Sequence, residues 1–234
     1  MTASDPVQLD SLRNVHIVGA GGAGMSALAK LLSQLGHQVT GSDLKPGRAF
    51  DALADLNITT WVGHQPERIA GVDLVVASSA VPEGDPELVA AREAGVPTWS
   101  RPVLLDAITA AMPAVGFTGT HGKTTSTALA VTALRGAGRD PTFIVGGEMV
   151  AYQTGAHLGE RDLFVLEADE AFGTFRHLHL NALSVTSVEA DHLDYYGSVA
   201  ALEEAFALVA NRVDGPVVGC IDDPGVRRLA ERAP

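Results

Sequence analysis

Short apolar runs alternate with segments of helical period along the whole chain. NVHIVGA (14–20) is an apolar run of strand length, and Leu28, Leu31, Leu32 and Leu35 follow at i, i+3, i+4, i+7 spacing, which predicts a helix. HQVTGSD (37–43) predicts a second strand, with Gly36 placed to end the helix before it. DLVVASSAV (73–81) predicts a further strand, and PELVAAREAG (86–95) a helix closed by another glycine. Strands that alternate with helices in this way predict an α/β fold built on an open, mostly parallel sheet with helices on both faces.

The alternation restarts after RPVLLDAITAAMP (101–113). AVGFTG predicts a strand and TSTALAVTALRGAG (125–138) a helix, while PTFIVGG, DLFVLEAD, ALSVTSVEAD and PVVGCIDD predict four more strands. The pattern places a domain boundary near residues 102–114, giving a Rossmann-like first domain at 1–106 and a second α/β domain at 107–234. The first domain reads as complete. The second stops just after a strand and a short helix, DDPGVRRLAERAP, with no closing element.

Composition narrows the function classes. With 46% hydrophobic and 19% charged residues among 234, the chain is able to bury substantial cores. No run of eighteen apolar residues is present, so no membrane span is expected. The N-terminal MTASDPVQLDSL lacks a basic segment followed by an apolar core, which reads as a frayed tail and not as a secretory signal. One cysteine, Cys220, excludes an internal disulfide and fits a reducing cytoplasm. Its place in the apolar run PVVGC predicts a buried structural thiol. A formal charge of −12 argues against a nucleic-acid surface, which needs a clustered basic face. Anionic small molecules stay possible, because glycine loops and helix N-termini bind phosphate through backbone N–H groups.

Two glycine loops carry the candidate chemistry. GAGGAG (19–24) satisfies G-x-G-x-x-G through Gly19, Gly21 and Gly24, after a strand and before a helix, with Asp43 at the end of the next strand. That is the context of a dinucleotide fingerprint, and it serves the pyrophosphate of a nucleotide diphosphate-sugar equally well. The second loop, GFTGTHGKTTS (116–126), has the strand–loop–helix context of a P-loop with its glycine displaced. Five positions before Gly122 lies Phe117, with Gly116 and Gly119 on either side. Here Lys123 is placed to neutralise phosphate charge, Thr124 to ligate Mg²⁺, and the backbone amides to cradle phosphates. Carboxylates gather at two later strand ends: Glu167, Asp169 and Glu170 in LFVLEADE, then Glu189, Asp191 and Asp194 with His192 in SVEADHLDYY. Any one of these alone reads as a solvated loop residue. Two clusters following apolar strands in a P-loop domain point to Mg²⁺ in one crevice beyond the strand ends.

VHIVGAGGAGMSALAKLLSQLGHQVTGSD, VVASSAVPEGDPE, GTHGKTTST, PTFIVGGE, EADE and VEADHLDYYG, in this order, resemble the Mur ligases from about residue 13 to residue 228. The family's GTxGKT[ST] loop accounts for the displaced glycine, whose counterpart is Gly119. The resemblance implies an ATP-dependent ligase that joins L-alanine to the carboxylate of UDP-N-acetylmuramate through an acyl phosphate, in peptidoglycan synthesis. It implies a UDP-sugar site at Gly19, Gly21, Gly22, Ala23, Gly24, Met25 and Ser26, with Asp43, His64, Ser78, Ser79 and Arg101 as further contacts. It implies an ATP site at Gly119, Thr120, His121, Gly122, Lys123, Thr124 and Thr125. Lys123, Glu167 and His192 would be catalytic, and Thr124, Glu167 and His192 would hold Mg²⁺. The implied partners are UDP-N-acetylmuramate, ATP and an amino acid, with no nucleic acid and no membrane.

Three departures qualify the match. Ala171 and Phe172 stand where the family continues EADE with Ser-Asp, and Ser187 stands where it has asparagine. The family's C-terminal domain, which binds the amino acid, and the last part of its central domain have no counterpart here, so the 234-residue chain is not expected to turn over alone. Rival readings are a ligase that returns a recycled murein tripeptide to UDP-N-acetylmuramate, a non-catalytic UDP-sugar-binding module, and an NAD-dependent oxidoreductase using GAGGAG.

Overall fold

A computed structural model describes residues 9–45 and 47–232. The expected frayed tail lies outside the described residues up to residue 8. Its last part is not frayed: Leu9–Ser11 form a single 3-10 turn, and Leu9 and Leu12 are buried. The Leu12 carbonyl also lies 2.9 Å from His37 Nδ1, which anchors the segment. No helix among the described residues is long and apolar enough to cross a membrane. The chain divides into two compact units between Ala107 and Ile108.

In the first unit, the elements run β1 (Asn14–Val18), α1 (Ala23–Gln34), β2 (Gln38–Asp43), α2 (Arg48–Ala54), β3 (Thr59–Val62), β4 (Leu74–Ala77), α3 (Pro86–Glu93) and β5 (Thr98–Ser100), and α4 (Arg101–Ala111) runs across the division between the units. The strands form one parallel sheet in the order β3-β2-β1-β4-β5. Strand order reverses between β1 and β4, and ligands of open α/β sheets bind beyond the carboxyl ends at such a point. The GAGGAG loop leaves β1 there. Continuous burial of Leu74, Val75 and Val76 explains why β4 reads as an unbroken apolar run, since both faces of a parallel sheet are covered. Leu28, Leu31 and Leu32 form the buried face of α1, and Gly36, at φ +100°, ends it. The predicted strand at 73–81 stops at Ala77, because Ser78 turns the chain: the Val81 N–H bonds back to its carbonyl at 3.0 Å. RPVLLDAITAAMP, within which the two units divide, is helical as α4, with Leu104, Leu105 and Ile108 buried.

The second unit contains β6 (Ala114–Thr118), α5 (Lys123–Gly136), β7 (Thr142–Met149), β8 (Thr154–His157), β9 (Phe164–Glu167), β10 (Ala182–Val185), α6 (Leu193–Tyr196), α7 (Val199–Ala210), β11 (Val217–Gly219) and α8 (Pro224–Ala230). Its sheet order is β11-β10-β6-β9-β7-β8, parallel except for the β7–β8 hairpin. Val131 of α5 packs on Phe143, Val145 and Val165. On the other side, α7 buries Leu202, Ala205 and Phe206, and Phe206 meets Phe175 edge to face. Cys220 corrects one expectation: it is exposed, not buried. It follows β11, a three-residue strand at the sheet edge, where Val218 and Ile221 are exposed as well. An apolar run on an edge strand does not imply cover.

Candidate functional site

In the second unit, register brings the predicted segments to one edge of the sheet. Phe117 of β6 stands opposite Glu167, the last residue of β9, and Thr118 opposite Val185, the last residue of β10. The loop after β6 therefore opens beside both acidic strand ends. Gly119 adopts φ +130°, and a Cβ there would lie 2.2 Å from Thr186 Oγ1 and 2.7 Å from Ser187 N, so only glycine fits. Gly122, at φ +84°, turns the chain into α5 without any side-chain cap. The first amides of α5 are thus left to a ligand, and the helix dipole favours an anionic one.

The end of β10 clamps the loop. Thr120 N–H donates to the Ser187 carbonyl at 3.0 Å, and His121 N–H donates to Ser187 Oγ at 3.0 Å. Thr186 Oγ1 lies 3.0 Å from the Thr118 carbonyl and 2.5 Å from that of His121. Thr120 Oγ1 accepts from Glu189 N–H at 2.8 Å, so this side chain is spent on loop structure. His121, Gly122, Thr124 and Thr125 stay exposed.

Lys123, the first residue of α5, folds back over the loop. Its Nζ donates to the Gly119 carbonyl at 2.8 Å and to Glu170 Oε1 at 2.9 Å. Glu170 is fully buried, and its Oε2 has no hydrogen-bond partner among the described residues. His192 Nε2 lies 4.0 Å from the same Oε1. His192 itself is held at φ +49°, as the residue that turns the chain into α6. From α6, Tyr196 donates its hydroxyl to the Glu170 carbonyl at 2.5 Å. Burial, reinforced by the nearby Glu170, pushes the Tyr196 phenol up to about 12 against the opposing effect of Arg176.

Glu167 and Thr124 converge on successive glycines of β7. Glu167 Oε1 accepts from Gly146 N–H at 2.8 Å, and a Cβ on Gly146 would lie 2.6 Å from Glu167 Oε2. A Cβ on Gly147 would lie 3.5 Å from Thr124 Cγ2. A hydroxyl and a carboxylate at adjacent glycines are donors that suit a hard divalent cation such as Mg²⁺, although Glu167, Glu170 and His192 do not stand close enough together to share one ion as they are placed here. The other acidic side chains are placed differently. Asp169 accepts from Ala171 N–H at 3.2 Å, at the start of a 3-10 turn, and Asp191 accepts from His192 N–H at 2.7 Å. Glu189 and Asp194 are exposed. The Phe172 side chain lies outside the described residues.

In the first unit, Gly19 turns at φ +80° with its N–H on the Ser42 carbonyl at 2.9 Å. A Cβ there would lie 3.0 Å from Ser78 Cβ, which puts Ser78 against the loop. Gly21 N–H donates to Asp43 Oδ2 at 2.8 Å, and a Cβ on Gly21 would meet that carboxylate. Gly22 is the N-cap of α1, again without a side-chain cap. Met25 and Ser26 N–H groups already bond to the Gly22 carbonyl, so Ala23 and Gly24 present the open amides. Met25 buries its side chain in the core. Arg101 packs its guanidinium over the same helix end, where a Cβ on Gly24 would lie 3.1 Å from Nε. Ser79 is exposed, and His64 Nδ1 sits 3.3 Å from Asp85 Oδ2.

Residues 14–112 match the Mur ligase family catalytic domain, and residues 117–234 match the Mur ligase middle domain. The chain belongs to the Mur ligase family. It is 44% identical over 228 residues to a UDP-N-acetylmuramate–L-alanine ligase of Mycolicibacterium vanbaalenii, covering 94% of this chain and 48% of that protein. Among solved structures it resembles the UDP-N-acetylmuramate-alanine ligase of Thermotoga maritima, with a TM-score of 0.81, 32% identity, and coverage of 92% and 51%. It also resembles a murein peptide ligase of Psychrobacter arcticus, with a TM-score of 0.83, 25% identity, and coverage of 94% and 52%. The chain spans about half the length of the curated relatives it matches.

Among the described residues of this Mur ligase chain, one group of three His, Asp or Glu side chains lies close enough to share a cation: His64, Asp85 and Glu87. Glu87 is already spent. Its Oε1 accepts from Trp61 Nε1 at 2.8 Å and Gln65 N–H at 2.9 Å, and its Oε2 accepts from Ser42 Oγ. His16 Nε2 stands 3.5 Å from the same Oε2, and the His16 ring stacks on Trp61. Glu87 therefore belongs to a buried hydrogen-bonded network with His16, Ser42 and Trp61, and His64 stands exposed at its edge. Sequence reasoning missed it, as it missed the clamping role of Thr186 and Ser187. A histidine in a β-strand run and an acidic residue in the first turn of a helix carry no sign that they will meet.

Proposed function

We propose that this chain carries the UDP-sugar and ATP halves of a ligase that joins L-alanine to the carboxylate of UDP-N-acetylmuramate, with ATP converted to ADP and phosphate. Residues 1–106 would hold the UDP-sugar and residues 107–234 the ATP. The observation that carries this reading is the Gly119–Thr124 loop, which presents uncapped helix amides, a lysine and two carboxylate-bearing strand ends at one sheet edge. A cytoplasmic location, where ATP is supplied, belongs to the same proposal.

The chemistry follows from charge. A substrate carboxylate must approach a triphosphate, and the two repel. Amides at the start of α5 and the Lys123 ammonium offset the charge on the phosphates, an effect that grows in a partly water-excluded site. Mg²⁺, held by Thr124, Glu167 and His192, would supply further neutralisation of the phosphate oxygens. Attack of the carboxylate oxygen on the terminal phosphorus breaks its bond to the bridging oxygen, giving an acyl phosphate and ADP. The amine then displaces phosphate at the acyl carbon and forms the amide. In the first unit, the open amides of Ala23 and Gly24, with Arg101 beside them, suit the pyrophosphate of the UDP-sugar.

The likeness to a murein peptide ligase supports a second reading, in which the acceptor is a peptide, but at 25% identity against 44% it is the weaker one. Calorimetric titration tests the site. Binding of UDP-N-acetylmuramate and of MgATP is expected, with MgATP binding lost in Lys123→Ala. Binding of NADH, or a Lys123→Ala chain that keeps its ATP affinity, would overturn the assignment.

A further inference from the structure

We propose that Glu170 is a positioning residue that parks the Lys123 ammonium over the phosphate loop and releases it when a divalent cation arrives. The inference rests on the nucleotide-site reading above and concerns a carboxylate outside the ligand set expected for that site.

Glu170 follows β9 by three residues and has a side chain 1% exposed. Its backbone is fixed twice, since the carbonyl accepts from Tyr196 Oη at 2.5 Å and from Gly173 N–H at 2.9 Å. Such a carboxylate does not swing out to water. Its Oε1 is matched by Lys123 Nζ at 2.9 Å, while its Oε2 has no hydrogen-bond partner among the described residues. A buried charge that loses its counter-ion is strongly destabilised, because nothing in the interior replaces its solvation. Lys123, 16% exposed and held also by the Gly119 carbonyl, therefore cannot move to a phosphate without a cost.

A cation removes that cost. Glu170 Oε1 lies 4.0 Å from His192 Nε2, and His192 belongs to the ligand set expected for Mg²⁺. A divalent ion held at His192 would lie beside Glu170 and neutralise it as the lysine leaves. Release of Lys123 is then linked to metal. Metal-free ATP must take the lysine from an uncompensated carboxylate, whereas MgATP brings the compensation with it.

The test is calorimetric titration of the 234-residue chain and of Glu170→Gln with ATP in EDTA and with ATP in MgCl₂. In the wild-type chain Mg²⁺ is expected to strengthen ATP binding strongly. In Glu170→Gln the metal-free affinity is expected to rise about tenfold, so that the ratio between the two conditions contracts by that factor or more. Equal weakening in both conditions, or no change in either, would overturn the role of Glu170 and leave the nucleotide site standing. A wild-type chain that binds neither ATP nor MgATP would overturn both. Should Glu170→Gln not fold, the ammonium signal of Lys123 in wild-type chain, assigned with Lys123→Arg, carries the test by nuclear magnetic resonance. Metal-free ATP at saturation is expected to leave this signal in place, and MgATP to shift it. A shift with metal-free ATP refutes the proposal.

Discussion

Glu87→Gln tests how a buried charge is held in the first unit. Burial alone would raise the Glu87 carboxyl above its ordinary 4.5, yet donors from His16, Ser42, Gln65 and Trp61 outweigh it and bring the group to about 2. A carboxyl shifted that far binds its proton about 300-fold more weakly, which corresponds to about 3 kcal/mol of stability at neutral pH. Because the folded value lies below the unfolded one, this contribution is complete above the ordinary value and is lost as pH falls toward 2. In the variant the amide oxygen keeps the Trp61 and Gln65 donors, while the NH₂ group must face Ser42 and His16. Urea unfolding is the assay. Both tryptophans, Trp61 and Trp99, lie in the first unit, so their fluorescence follows its unfolding. The variant is expected to be about 3 kcal/mol less stable at pH 7, with the gap roughly halved by pH 3. A gap below about 0.5 kcal/mol, or one that does not change with pH, would refute the reasoning.

Two further outcomes are expected. Gly119→Ala forces a Cβ against Thr186 Oγ1 and must displace the loop that Ser187 clamps. With two or three hydrogen bonds of about 1 kcal/mol each lost, MgATP affinity is expected to fall about 100-fold by calorimetry, and unchanged affinity would sink the steric argument. Cys220 is exposed, so a thiol reagent is expected to modify it in the native chain without denaturant. Modification that requires unfolding would show the thiol to be covered.

Much of the fold was legible because its strands are buried on both faces. β4 is an unbroken apolar run, β1 is one apart from Asn14 and His16, and β9 is one up to Glu167, and the helix after β1 carries an apolar stripe, so the parallel α/β alternation could be read directly. β3, β5 and β8 escaped notice. Each has three or four residues, and residues such as Thr59, Thr60 and Gly155 carry no run. The same rule failed at PVVGC, because an apolar run reports propensity and says nothing of whether a neighbour covers it.

The two loops divide along the same line. Sequence by itself determined where they are and what they contain: a strand, glycines at fixed offsets, a lysine and a helix start are all local in the chain. It also determined the family, because those loops and the two acidic motifs occur in one order. Tertiary structure alone decided which side chains meet. Gly119 is compelled by Thr186 and Ser187, 67 and 68 positions later, and Lys123 is held by Glu170, 47 positions later. Strand register brings these residues together, and register depends on how β6, β9 and β10 pack side by side. No local pattern carries that information, since hydrogen bonding between strands acts across space and not along the chain.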